Sequence, residues 1–250
     1  MRLLRGIAAI AVLVSALTAR AGEVPLALWK NATYPSGLPM GGTMGVSWGD
    51  YDADGYIDLF ACFSGSLWHN NAGVSWTFAG NLSTLVPPTE RRYGASFGDY
   101  DNDGLPDIAM APRVPAWGDD RFHLLQNLRT YPYFADVAAD SFVIDEQPYG
   151  NAETLAWADV DGDADLDLFV PVYPGALGPG NFFLENLGGR FIESSAAAGL
   201  DIPAGHARPE GAQFADVDFD GDPDLFANGT LYQNVSALSA RRLKSPCIRP

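Results

Sequence analysis

The segment Trp48-Gly-Asp-Tyr-Asp-Ala-Asp-Gly-Tyr-Ile-Asp-Leu-Phe60 decides how the chain is read, because it recurs three more times. The copies are Phe97-Gly-Asp-Tyr-Asp-Asn-Asp-Gly-Leu-Pro-Asp-Ile-Ala109, Trp157-Ala-Asp-Val-Asp-Gly-Asp-Ala-Asp-Leu-Asp-Leu-Phe169 and Phe214-Ala-Asp-Val-Asp-Phe-Asp-Gly-Asp-Pro-Asp-Leu-Phe226. Their leading aspartates are Asp50, Asp99, Asp159 and Asp216, so the intervals are 49, 60 and 57 residues. Repeats of that period have the size of a propeller blade and exceed a short solenoid turn.

Two further elements travel with the segment. The first is Leu67-Trp-His-Asn70, Leu124-Leu-Gln-Asn127, Phe183-Leu-Glu-Asn186 and Leu231-Tyr-Gln-Asn234. The second is Phe134-Ala-Asp-Val137 and Phe191-Ile-Glu-Ser194, the latter running into Ala198-Gly199-Leu200. Near the N-terminus, Trp29 to Leu38 lines up with Phe191 to Leu200. Each unit therefore reads as four short strands. One approaches the acidic loop (Gly45 to Trp48) and one leaves it (Ile57 to Cys62). The third carries Leu-x-x-Asn and the fourth Phe-x-Asp/Glu. Alternating apolar residues with Gly, Pro and Asn punctuation support strands. The expected fold is all-β, a β-propeller of four-stranded blades. Four repeats make either a small ring or an incomplete propeller. In a closed ring, residues 26–33 would supply the outer strand of the last blade.

The acidic loops carry the chemistry. Each reads Asp-x-Asp-x-Asp-Gly-x-x-Asp, with carboxylates at positions 1, 3, 5 and 9. These are Asp50, Asp52, Asp54 and Asp58; Asp99, Asp101, Asp103 and Asp107; Asp159, Asp161, Asp163 and Asp167; Asp216, Asp218, Asp220 and Asp224. Four carboxylates in nine residues repel one another unless a hard divalent cation joins them, and calcium takes six to eight oxygen ligands. The position-7 carbonyls of Tyr56, Leu105, Asp165 and Asp222 are the expected backbone ligands. About four Ca2+ are expected, one per repeat. Gly55, Gly104 and Gly221 hold position 6, where a left-handed turn suits glycine. The third copy carries Ala164 there, which makes its loop the weakest candidate. An EF-hand starts in the same way but needs a bidentate Glu at position 12. Position 12 is Ala61, Met110, Val170 and Ala227, so that reading fails in every copy. Magnesium prefers to keep its waters in a compact octahedron and is a poorer match.

The balance of charge agrees. The 31 acidic residues against 15 basic ones set a net charge of −16. That sign disfavours nucleic acid and anionic lipid as partners. A hydrophobic content of 47% is enough for a packed core and argues against disorder. Two cysteines exclude a disulfide-rich scaffold, and Cys62 and Cys247 leave open either a disulfide or a buried thiol at Cys62. Met1-Arg2-Leu3-Leu4-Arg5, an apolar run from Gly6 to Leu17 and Ala19-Arg20-Ala21 read as a signal peptide over 1–21, cleaved after Ala21. The run is too short to span a membrane comfortably, and no other segment is apolar enough. The repeats then occupy 22–236 and a basic, non-repeating tail 237–250. The expected location is secreted or extracellular, or periplasmic or cell-surface in a bacterium.

These motifs resemble the FG-GAP/VCBS repeats of integrin α-subunit propellers and of secreted bacterial proteins. The [Trp/Phe]-[Gly/Ala]-Asp-[Tyr/Val]-Asp segment, Leu-x-x-Asn and the closing Ala-Gly-Leu are closest in pattern to the cartilage-acidic-protein (ASPIC/UnbV-associated) branch. The likeness covers roughly residues 26–234. It implies a calcium-binding β-propeller used for adhesion, with an extracellular protein or glycan as partner. Two departures stand out: integrin-type propellers have seven blades, and the usual C-terminal module is absent.

Catalytic signals are sparse. His69, His123 and His206 are the imidazoles, and none sits in a recognisable nucleophile or metalloprotease motif. No catalytic residue is expected. A polysaccharide-active lyase or hydrolase on the same scaffold is the alternative to a binding module. Trp68, Trp76, Trp117 and Tyr173 are candidates for sugar stacking, against ordinary packing between blades. Sequons at Asn31, Asn81, Asn228 and Asn234 bear glycans only in a eukaryotic secretory pathway.

Overall fold

A computed structural model describes residues 37–38, 45–85, 94–111, 122–143, 150–152, 154–174, 181–200, 211–227 and 229–235. The expected signal segment, the closing strand at 26–33, the tail and the Cys247 partner lie outside these residues. So do Trp117, His206, Asn31 and Asn228.

The described chain is all-β apart from one short α-helix and one 3-10 turn. The first unit is the antiparallel meander β1 (Val46–Gly49), β2 (Asp58–Ala61), β3 (Ser66–Asn71) and β4 (Ser75–Asn81). The second repeats it with β5 (Ala95–Gly98), β6 (Asp107–Met110), β7 (His123–Asn127) and β8 (Phe134–Asp136). A helix, α1 (Ala138–Ser141), and β9 (Phe142–Val143) then carry the chain across to the third sheet, where β9 pairs in parallel with its outer strand. That sheet contains β10 (Gly150–Ala152), β11 (Ala156–Ala158), β12 (Asp167–Pro174), β13 (Asn181–Asn186) and β14 (Phe191–Glu193). The fourth has β15 (Ala212–Ala215), β16 (Asp224–Ala227) and β17 (Thr230–Tyr232), three strands among the described residues.

Register follows the repeat. Trp48 faces Leu59 across β1 and β2, as Phe97 faces Ile108, Trp157 faces Leu168 and Phe214 faces Leu225. Successive side chains alternate between the two faces of each sheet, and both faces are apolar because sheets stack on one another. We call the face turned to the next unit leading and the opposite face trailing. Tyr51, Phe60 and Leu67 on the leading face of the first sheet are buried with Ile108, Leu125 and Phe134 on the trailing face of the second. Tyr100, Ala109 and Leu124 meet Leu168, Leu184 and Phe191 in the same way. Phe169 and Phe183 meet Leu225, with Phe214 and Tyr232 packed beside them. Cys62 is buried in the first of these cores. The inner strands touch in sequence order, β1 with β5, β5 with β11 and β11 with β15.

The glycine of the [Trp/Phe]-[Gly/Ala]-Asp segment explains itself here. A Cβ on Gly49 would lie 2.5 Å from the Phe97 ring, and one on Gly98 2.8 Å from the Trp157 indole. Each aromatic thus lies against the backbone of the preceding unit. Ser47 Oγ accepts a bond from the Phe97 amide at 3.0 Å, which adds a polar tie across the same joint. Where the fourth sheet lacks an outer strand among the described residues, a cleft of about 640 Å³ opens beside Phe183, Leu225 and Tyr232.

Candidate metal centres

Every acidic loop joins the first strand of its sheet to the second, and in all four the backbone is bent the same way. Position 4 has positive φ in Ala53, Asn102, Gly162 and Phe219, and position 6 in Gly55, Gly104, Ala164 and Gly221. The two left-handed residues curl the loop so that its own amides turn inward. The position-1 carboxylate accepts from the position-6 amide in each copy: Gly55 to Asp50 at 2.8 Å, Gly104 to Asp99 at 3.0 Å, Ala164 to Asp159 at 3.1 Å and Gly221 to Asp216 at 3.0 Å. Position 5 accepts from position 7, as in Tyr56 to Asp54 at 2.8 Å and Asp165 to Asp163 at 2.8 Å. Ala164 therefore adopts the turn expected of glycine, with φ of 79°, and the third loop keeps the shape of the others. A side chain strains that conformation. Ala164→Gly is expected to raise stability by about 1 kcal/mol, read from a urea or thermal melt. A loss would show that the methyl group packs productively.

The ninth-position carboxylates are the buried anchors. Asp58, Asp107, Asp167 and Asp224 are all nearly inaccessible to water. One oxygen of each accepts from the position-2 amide, of Tyr51, Tyr100, Val160 and Val217, at 3.0–3.2 Å. The other accepts from the backbone amide of the Leu-x-x-Asn asparagine, Asn70, Asn127, Asn186 or Asn234, at 2.7–2.9 Å. Burial pushes Asp58 and Asp167 up to about 6 and Asp107 up to about 7, and the amide bonds only partly offset it. Burial and the neighbouring Asp54 also raise Asp52, and burial raises Asp161. The sign of the linkage follows. Groups whose folded pKa lies above the unfolded value of 3.8 bind more protons in the folded chain. In chelator, stability is expected to fall as pH rises from about 4 to about 7, as a pH series of melts would show. A rise across that window would overturn the assignment.

The carboxylates converge as follows. Asp50, Asp52 and Asp54 offer oxygens within 4.8 Å of one another, as do Asp99, Asp101 and Asp107; Asp159, Asp161 and Asp163; and Asp216, Asp218 and Asp224. Asp58 joins Asp52 and His69 in a second group of the first loop. Asp103, Asp167 and Asp220 fall outside these groups, although each accepts the same amide bonds as Asp54, Asp107 and Asp163, which lie within them. Among the position-7 residues, Asp165 turns its carboxylate to Asn102 and to the Gly188 amide, and the Asp222 and Leu105 side chains are buried. The donor set is oxygen throughout loops two to four, and Asp52 Oδ1 in loop one is buried with no hydrogen-bond partner. Clustered anionic oxygens of this kind fit a hard divalent cation.

Three features were outside the sequence reading. His69 sits in no motif recognisable from sequence, yet its Nδ1 stands 3.1 Å from Asp52 Oδ2 and 3.5 Å from Asp58 Oδ1. Gln126 and Gln233 occupy the same strand position and donate to Asp101 and Asp218, so in these units the site steadies the position-3 carboxylate; in the third unit Glu185 stands there and accepts from the Ser194 hydroxyl instead. The repeated asparagine is the second feature. Asn127 Nδ2 donates to the Tyr51 carbonyl of the preceding unit at 2.7 Å, Asn186 to Tyr100 at 2.8 Å and Asn234 to Val160 at 2.7 Å. Its recurrence after every loop was the available signal. The third is His123, the first residue of β7, whose Nδ1 is bonded to Asp136. That bond and the imidazole charge outweigh burial and hold Asp136 below its ordinary value. The aromatic candidates are packed in part: Trp68 lies edge-on to Phe78 and Trp76 beside Trp48. Asn81 and Asn234 both use their side-chain amides inside the fold.

No helix among the described residues is long and apolar enough to cross a membrane. No protein-family model and no curated protein matches the chain. Among solved structures it is similar to the V. cholerae biofilm matrix protein Bap1, at 19% identity and a TM-score of 0.35. That match covers 77% of this chain and 29% of the Bap1 chain, and is too slight to bear on fold or function.

Proposed function

We propose that this chain is an exported β-propeller protein whose acidic loops bind calcium as structural staples, and that the assembled sheets act as an adhesion or binding module for an extracellular protein or glycan. The observation that carries the reading is the recurrence of one loop, with the same two left-handed positions, at the same place in four sheets. The ordered contacts of β1, β5, β11 and β15 support a propeller, in which innermost strands neighbour one another around an axis. Asp50, Asp52, Asp54 and Asp58 would hold the first ion. Asp99, Asp101 and Asp107, then Asp159, Asp161 and Asp163, and finally Asp216, Asp218 and Asp224 would hold the others. The ion's contribution is charge: it neutralises carboxylates that otherwise repel, and it ties the first strand of each sheet to the second. The protein's contribution is a loop whose amides already orient the oxygens.

Calorimetric titration of chelator-stripped protein is expected to give about four calcium ions per chain. A glycan and matrix-protein binding screen, run with and without calcium, tests the partner. Binding that vanishes on chelation supports the reading, and turnover of a bound polysaccharide would replace it with an enzyme.

A further inference from the structure

Among the described residues the stack of sheets ends on two partly exposed faces, and they are complementary. From the repetition of the inter-sheet joint we infer that the leading face of the fourth sheet docks on the trailing face of the first sheet of a second copy of this chain, head to tail. Three internal joints show what covers a leading face: in each case it is the trailing face of the next unit. In the fourth unit no such face follows among the described residues. Val217, Phe226 and Leu231 occupy the positions of Tyr51, Phe60 and Leu67, which are buried, yet they are 45%, 55% and 47% exposed. At the other end Trp48 takes the place of Phe97, which packs on Gly49, and it is 55% exposed.

The polar ties point the same way. Asn127, Asn186 and Asn234 each donate to the position-2 carbonyl of the preceding unit. Asn70 has no such partner among the described residues, and its side-chain amide donates only to Ile57 of its own loop. Val217 carries the carbonyl that would receive it. Loop contacts add an independent sign. Asn102, at position 4 of the second loop, reaches the Ala164 carbonyl and Asp165 of the third. Phe219 holds position 4 in the fourth loop, 90% exposed and in a left-handed backbone. Its counterpart target is Tyr56 of the next copy, 44% exposed. Exposed apolar faces of this kind mark interaction sites. The joint is heterologous, so a pair of copies closes when each supplies one leading and one trailing face. Two chains then contribute eight sheets, within the range of known propellers. Both copies are acidic, so screening by added salt strengthens the association.

Light scattering and sedimentation of the calcium-loaded protein test this. The expected molar mass is twice that of the chain. Phe226→Asp and Trp48→Asp each reduce it to that of one chain while leaving the far-UV circular dichroism of the folded chain unchanged, since both side chains are more than half exposed. An equimolar mixture of the two variants regains the dimer, because one intact leading face meets one intact trailing face. Phe219→Ala gives a milder loss without a new charge. A wild-type chain that stays monomeric, a dimer lost with only one of the two charged variants, or a mixture that fails to recover overturns the proposal. Such outcomes leave the calcium titration untouched, so the two readings fail separately.

Discussion

Stripping calcium is expected to lower the midpoint of thermal unfolding by roughly 5–20 °C, the largest single effect on this protein. Extracellular-type loop sites bind in the range of about 10⁻⁴ to 10⁻³ M, so about 1 mM calcium adds on the order of 0.4–1.4 kcal/mol per site. Four sites together contribute about 2–6 kcal/mol, against a total stability of about 5–15 kcal/mol for a typical domain. At roughly 2–4 °C per kcal/mol for a chain of this size, that is the shift stated. The physical source is legible in the loops. Without the ion, Asp50, Asp52 and Asp54 crowd their oxygens within 4.8 Å, and the loop amides answer only part of that charge. Melts in EGTA, in calcium and in magnesium decide it. Calcium should restore the midpoint and magnesium restore it less; identical curves in all three would end the metal reading.

Asn186→Ala is expected to cost about 2–4 kcal/mol, whereas Asn70→Ala in the monomer should cost about 1 kcal/mol. The same residue of the same motif thus has two different weights. Asn186 is buried and donates to Tyr100 of the preceding sheet at 2.8 Å and to Leu166 of its own loop at 3.1 Å, while its carbonyl accepts from Gly189 at 2.7 Å. Truncation strands the Tyr100 carbonyl inside the joint, and a buried acceptor left unpaired loses its full solvation. Asn70 bonds Ile57 and Gly73 only, at a surface water reaches. Denaturant melts of the two variants measure the contrast. Equal losses would mean that the asparagine acts within its own hairpin and does not bolt one sheet to the next.

Much of the local structure was legible. The four strands of each of the first two units, the placement of every acidic loop between two paired strands, and the failure of the EF-hand pattern all follow from residues close in sequence. The third loop, the weakest candidate by its Ala164, takes the same backbone turn as the others for an instructive reason. Glycine at position 6 signals a left-handed turn, but the amide bonds of Asp159 and Asp163 hold Ala164 in that turn despite its side chain. The approach of His69 to Asp52 and Asp58 joins a strand to a loop that folds back toward it, and no local pattern in the sequence shows that.

The sequence by itself determined the repeat, the strand order within a unit and the identity of the carboxylates, because period, alternation and turn residues act over a few positions of chain. Tertiary structure alone decided which carboxylates converge. Asp103, Asp167 and Asp220 match their partners in spelling and accept the same amide bonds, yet their oxygens lie outside the groups that Asp54, Asp107 and Asp163 join. It also decided what Leu-x-x-Asn does, since the bond from Asn186 to Tyr100 joins residues 86 apart. Contacts at that separation are set by how sheets stack, and no local pattern encodes them. The same stacking buries Phe60 and Leu67 and leaves Phe226 and Leu231 open, although the same two motifs wrote both pairs.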